Sequence, residues 1–265
     1  MERDSVLIVT STSVTFVNSG QWLPSIMMKL ESLLISRDPA LLGVLRPTLD
    51  KISVHIEVCP ECRPGVDLLA KHKFDAVIVD CDDLQDGVNV LRDLRKTQSN
   101  SKSVAFAVLN GKTTTQAAFQ CGANFVLQKP LTSLHATRCF NAALNFMVRE
   151  RRRYFRYPVE IPVRVRVPES QEVTATSTNL SDGGMALRIT TRLLQDTVAE
   201  LRFTLPASNT SLELKGRVAW SDGTGHAGVR FVDVPQSSQY QLDKWLTERL
   251  QSELPPHLQQ YSPVS

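Results

Sequence analysis

The sequence lacks any apolar run near the ~18 residues that a membrane-spanning helix requires, so insertion into a membrane is not expected. Cysteine is scarce and odd in number, five in 265 residues. An odd count does not suggest a disulfide framework, and a reduced compartment is the simpler setting. Metal-ligand spacing is also wanting. Cys59-Pro60-Glu61-Cys62 forms a CxxC, but no second CxxC or HxxxH supplies the remaining ligands of a zinc site. The histidines at 55, 72, 135, 226 and 257 are scattered. A redox use would want the CxxC to open a helix, which Pro64 permits, but a structural role for these cysteines is the simpler reading. No secretory leader is expected: Glu2 and Asp4 stand where a basic region belongs, and Val6–Val9 is too short for the apolar one. Neither a nucleophile elbow nor a P-loop occurs, so a non-enzymatic protein is expected. Charge of one sign is in short supply too. A net +3 is too slight for a dedicated binder of nucleic-acid polymers.

What remains is ordinary globular material, 42% hydrophobic and 22% charged, which excludes a largely disordered chain. The length suits one large domain or two small ones, with a core that needs no staple. The first half alternates strand and helix. Val6–Val9 reads as a buried strand, and Pro24–Ser36 as an amphipathic helix with Ile26, Met27, Leu30, Leu33 and Leu34 on one face. A second helix over Asp38–Leu49 is expected to be broken by Pro39, Gly43 and Pro47. Strands follow at 52–58, 76–80, 104–109 and 125–127, with helices at 66–72, 88–96, 113–121 and 132–150. This alternation predicts a doubly wound α/β parallel sheet over residues 1–148.

At Arg149 the texture changes. Residues 149–156 carry five arginines against one glutamate. Short alternating strands follow at 159–167, 172–180, 184–190, 198–205, 212–220 and 227–232, separated by turns. They predict an all-β six-stranded sandwich or barrel over 149–253. A helix from about Gln239 to Glu253 closes it, with Leu242, Leu246 and Leu250 toward the barrel and Ser238-x-x-Gln241 as a capping box. Residues 254–265 read as a loose tail.

Two elements of this half carry chemistry. Arg152-x-x-x-Arg156 precedes the first strand, and Asn179-Leu180-Ser181-Asp182-Gly183-Gly184 spans a strand-to-strand turn. Each alone is weak, since a basic run is usually a solvated face and Asn-x-Ser-x-x-Gly a common turn. Together, in this order and on this framework, they resemble the paired signatures of the PilZ domain family, a six-stranded barrel that binds the bacterial second messenger cyclic di-GMP. The resemblance implies Arg152, Arg156, Asn179, Ser181 and Gly184 as ligand contacts, with Arg151, Arg153 and Gly183 as helpers. The chemistry suits the ligand. An arginine fork matches guanine O6 and N7 or a phosphate, Asn179 can donate to and accept from a base edge, and Gly183 and Gly184 permit positive φ and close backbone approach. Arg149-x-x-x-Arg153 satisfies the same spacing. The 152/156 register is preferred because Tyr157-Pro158 follows it directly, as is common in that family. The signatures of cyclic di-GMP synthesis and breakdown, GGDEF and EAL, are absent.

The first half resembles the response-regulator receiver family through Phe74–Asp80, Gly87, and Cys121–Pro130 with its Lys129-Pro130. The resemblance implies Asp80 as phosphoacceptor. The acidic pair that would hold Mg²⁺ after the first strand is replaced by Thr10-Ser11-Thr12-Ser13, and the fourth strand ends Leu109-Asn110-Gly111 rather than in Ser or Thr. A pseudo-receiver with no metal site, in which Lys129 pairs with Asp80, is therefore expected. The combined expectation is a cytoplasmic bacterial effector needing no cofactor. Cyclic di-GMP would order a mobile Arg149–Tyr157 segment and reorient a receiver-like half that binds a protein partner or forms a homodimer. The alternatives are a response regulator controlled at Asp80 with a PilZ output, and a PilZ adaptor that binds no ligand.

Overall fold

The computed structural model describes residues 29–167, 171–208 and 210–261. Its first half is a parallel five-stranded sheet in the order β2-β1-β3-β4-β5. The strands are β1 (Leu30–Ile35), β2 (Val54–Cys59), β3 (Ala76–Asp80), β4 (Val104–Leu109) and β5 (Phe125–Gln128). The helices between them are α1 (Pro39–Lys51), α2 (Cys62–Lys71), α3 (Gly87–Lys96) and α4 (Thr115–Gln120), and α5 (Ser133–Tyr154) follows the sheet. Residue alternation divides each strand between two cores. Leu30, Leu34, Ile78, Phe106 and Val108 pack with α1 and α5, while Leu33, Ile35, Val77, Val79, Ala105 and Ala107 pack with α2, α3 and α4. Every residue of β3 and β4 is buried, as their unbroken apolar runs require in a sheet covered on both faces.

The first strand differs from the sequence expectation. Leu30–Ile35, expected in a helix, is β1, and it fills the sheet position expected for Val6–Val9, which lie outside the described residues. The physical reason is that Leu33-Leu34-Ile35 needs apolar cover on both sides, which a sheet interior supplies and one helix face cannot. Periodicity alone does not separate the two for so short a run. The proline-bearing helix is also continuous. Asp38 caps α1 by accepting from Ala40 and Leu41 N–H at 2.8 and 3.2 Å, and Pro39 occupies the first turn, where its missing N–H costs nothing.

The second half is a closed antiparallel barrel in the order β10-β11-β8-β7-β6-β9. Its strands are β6 (Pro162–Arg166), β7 (Val173–Ser181), β8 (Gly184–Arg188), β9 (Val198–Leu205), β10 (Thr210–Ser221) and β11 (His226–Val232). Strict alternation in β9 and β10 puts Ala199, Leu201, Phe203, Leu212 and Leu214 inside. Helix α6 (Gln236–Glu253) closes it with Leu242, Trp245, Leu246 and Leu250, and Trp245 Nε1 donates to Pro206 O at 2.9 Å. The helix begins three residues before the expected start, and its N-cap is Pro235, so the Ser238 capping box does not form. The segment expected to be loose holds the short helix α7 (Pro256–Gln259), anchored by the fully buried Leu258.

The junction is not a linker. Helix α5 runs through the expected boundary at 148/149 to Tyr154, so most of the arginine segment expected to be mobile is helix. Two ion pairs hold its end to the sheet domain: Lys73–Glu150 at 2.7 Å and Arg151–Asp75 at 2.9 Å. Glu150 and Asp75 are only 4% and 2% exposed, so losing either partner would strand a buried charge. Burial pulls the Lys73 ammonium below its ordinary range, opposed by its bond to Glu150.

Candidate functional sites

Parallel strands end together, so the loops after β1, β3, β4 and β5 meet at one edge, where open α/β sheets bind ligands. Lys129 donates there to Asp38 at 2.7 Å, Asp80 at 2.9 Å and Asp83 at 2.6 Å. Ser36 Oγ donates to Asp80 Oδ2 at 2.7 Å. Burial pulls the Lys129 ammonium down, but the bonds to the three carboxylates outweigh it and raise its pKa. The bond from Lys129 holds Asp38 below the ordinary carboxylate range. Asp82 serves a different purpose. It accepts from the backbone N–H groups of Asn110, Lys112 and Thr113 and ties down the loop after β4.

The expected Lys129–Asp80 pair is thus present. The expected loss of the acidic position after the first strand is corrected, because the strand is β1 and Asp38 follows it. Oxygen atoms of Asp38, Asp80 and Asp83 lie within 4.8 Å of one another, and Asp80 Oδ1 is buried with no hydrogen-bond partner. Hard oxygen donors with an orphaned carboxylate oxygen fit a divalent cation such as Mg²⁺. Asn110, at the end of β4, turns its side chain to Asp83.

The second site lies where α5 meets the barrel. Past the helix end, Tyr157 pairs with Leu180 through N–H···O bonds of 2.8 and 2.9 Å. This bridge lays the arginine segment along β7 and sets Arg156 opposite Ser181 in register. Arg156 is exposed and makes no ion pair with the described residues. Arg152, half-buried on the last turn of α5, forms a short ion pair with Asp243 of α6. Asp182 lies nearby: burial raises its pKa, the Asp243 charge raises it further, and Arg152 opposes both. Asn179 sits at a bulge in the β7–β8 ladder, and its Oδ1 is buried without a partner. Ser181 Oγ donates to Gly184 O at 3.0 Å. A side chain at Gly184 would put Cβ 2.2 Å from Val229 O, so close backbone approach dictates glycine there. Positive φ is used at neither Gly183 nor Gly184, which corrects that expectation.

The helper arginines do not join this site. Residues on a helix turn ~100° apart. Arg151 therefore points to the sheet domain, bonded to Asp75 and to Lys29 O at 2.7 Å. Arg149 and Arg153 line a cleft beside β5. The 152/156 register is thus the one that faces the barrel. Sequence reasoning missed three participants. Asp38 was signalled by Asp38-Pro39, a cap followed by proline at the helix start. Ser36 and Asp243 carried no local signal.

A parallel α/β sheet joined by one helix to a closed six-stranded barrel defines a two-domain architecture. Residues 33–137 match the response regulator receiver domain and residues 150–248 match the PilZ domain. The chain is accordingly a signal-transduction protein with both modules. Solved structures with similar folds include the receiver domain of a sensor histidine kinase from Pseudomonas aeruginosa PAO1, with 19% identity and TM-score 0.39 over 43% of this chain and 97% of that one. They also include a CheY-like receiver domain protein from Methanospirillum hungatei JF-1, with 17% identity and TM-score 0.41 over 46% and 99%. The PilZ domain of CeSA from a cellulose-synthesizing bacterium has 23% identity and TM-score 0.31 over 36% and 97%. No curated protein matches the sequence. No helix among the described residues is long and apolar enough to cross a membrane.

Proposed function

We propose that the protein is a non-enzymatic cytoplasmic effector that binds cyclic di-GMP on the barrel face formed by Arg152, Arg156, Asn179, Ser181 and Gly184. The observation that carries this reading is the Tyr157–Leu180 bridge, which brings the two motifs together. The uncommitted Arg156 offers a guanidinium fork to a guanine edge or phosphate. The orphaned Asn179 Oδ1 would gain a partner from a base amine. Because α5 is continuous, ligand at its last turn acts on the sheet domain through a rigid helix rather than by ordering a linker. Calorimetric titration of the full chain with cyclic di-GMP, beside Arg156→Ala, tests the reading. Micromolar or tighter binding that the variant weakens about ten- to hundredfold supports it, as loss of one bidentate guanine contact of ~1–3 kcal/mol requires. No binding by the wild type overturns it in favour of an adaptor without ligand.

A second reading is favoured by the carboxylate cluster. Asp38, Asp80 and Asp83 would hold Mg²⁺, whose charge would stabilise a phosphoryl group arriving at Asp80, with Lys129 positioned to pair with it. Control would then come from phosphorylation, with the barrel as output. Incubation with a small phosphodonor and Mg²⁺ tests this: a one-phosphate mass increase lost in Asp80→Asn supports it, and an unmodified wild type refutes it.

A further inference from the structure

The spacing at residues 149–156 contains two RxxxR registers, and the structure sends them to opposite sides of α5. The barrel site uses 152/156 and leaves Arg149 and Arg153 unexplained. These two lie one turn apart, where like charges destabilise a helix by ~0.2–0.5 kcal/mol. Neither has a counter-ion among the described residues. With Lys102 from the loop before β4 they converge on a cleft of about 450 Å³. The acid lining it, Glu150, is committed to Lys73 at 2.7 Å. One wall is aromatic. Phe146 is 53% exposed and meets Phe125 edge-on at 6.1 Å. Phe125 in turn stacks on the fully buried Phe106 at 5.2 Å, which braces it.

We propose that this cleft is a second ligand site, separate from the barrel face, that takes a nucleoside monophosphate. Three unpaired cations suit a compact dianion, and guanidinium forks pair bidentately with phosphate oxygens. The exposed Phe146 ring offers a planar base a stacking surface regardless of base identity. The volume falls in the small-molecule range and suits one base and one phosphate better than an extended chain. The inference does not depend on cyclic di-GMP binding, because the two sites share no residue.

The test is calorimetric titration of the full chain with guanosine 5′-monophosphate, and separately with guanosine. Binding of the monophosphate at least about tenfold tighter than guanosine is expected, as loss of the phosphate's charge-assisted bonds implies. Arg149→Gln with Arg153→Gln should weaken it at least about tenfold. Phe146→Ala should weaken it about fivefold, as loss of ~1 kcal/mol of stacking predicts. Lys102→Gln, on a different element, should weaken it too, while Arg156→Ala leaves it unchanged. Circular dichroism establishes that each variant is folded. The proposal is overturned if the wild type does not bind the monophosphate at about 5 mM, a concentration far above the affinity these contacts imply. It also fails if guanosine binds equally well, if Arg156→Ala abolishes the binding, or if only an oligonucleotide or an acidic peptide binds.

Discussion

If Arg152 contacts the ligand, it must first leave Asp243. That makes Asp243→Asn an affinity-raising substitution. Exposed ion pairs are worth ~0.2–1 kcal/mol, and removing one partner of a buried pair costs ~3–5 kcal/mol. The Arg152 and Asp243 side chains are 19% and 24% exposed, so their pair falls between, at about 1–2 kcal/mol. Asparagine keeps the volume of the carboxylate and part of the hydrogen bonding but not the charge. It therefore returns about 1 kcal/mol of release cost and removes one negative charge from beside an incoming phosphate, for affinity about five- to tenfold higher. The same substitution should lower unfolding stability by about 1 kcal/mol, because the unliganded pair is lost. The two effects have opposite signs, so calorimetric titration with cyclic di-GMP and a denaturant melt separate them. The gain should also shrink as salt rises, because the charges are partly exposed. Unchanged or weaker binding, in a variant whose melt has shifted as expected, would refute the argument that Asp243 competes with ligand for Arg152.

Other outcomes follow from the same geometry. Gly184→Ala should cost about 1–3 kcal/mol, because its Cβ meets a backbone oxygen that cannot yield, whereas Gly183→Ala, with open space around it, should stay within about 0.5 kcal/mol. Denaturant unfolding of the pair checks both. Glu150→Ala should destabilise the chain by about 3 kcal/mol, since it leaves the Lys73 ammonium in a largely buried place without its paired carboxylate, and a lowered thermal midpoint would register it. Asp38 has a folded-state pKa below its ordinary value of 3.8. Its stabilisation is therefore complete above that value and is lost as pH falls through the folded-state value. Thermal melts from about pH 5 to about pH 2.5 should show a steeper acid limb for the wild type than for Asp38→Asn.

The order of elements from β2 onward was legible in the sequence. Unbroken apolar runs such as Val77-Ile78-Val79 suit the interior of a covered sheet, and the period-two pattern of 198–205 marks a strand with one buried face, as in a sandwich or barrel. The candidate ligand residues were legible as well, because their spacing is local. The first strand was not. Leu30–Ile35 satisfies a helical pattern and a strand pattern alike, and the neighbours that choose between them, Val54–Cys59 and Ala76–Val79, lie about twenty to forty positions away. That misplacement alone hid Asp38, and with it the complete carboxylate cluster around Lys129. Tertiary structure also decided which arginine serves which site. Consecutive positions 151, 152 and 153 are chemically identical in sequence, yet a helix turns each through ~100°. One is spent on Asp75, one faces Asp243 and the barrel, and one lines the cleft beside Phe146. Composition supplied the charges, but only the placement of α5 between sheet and barrel gave each a separate environment.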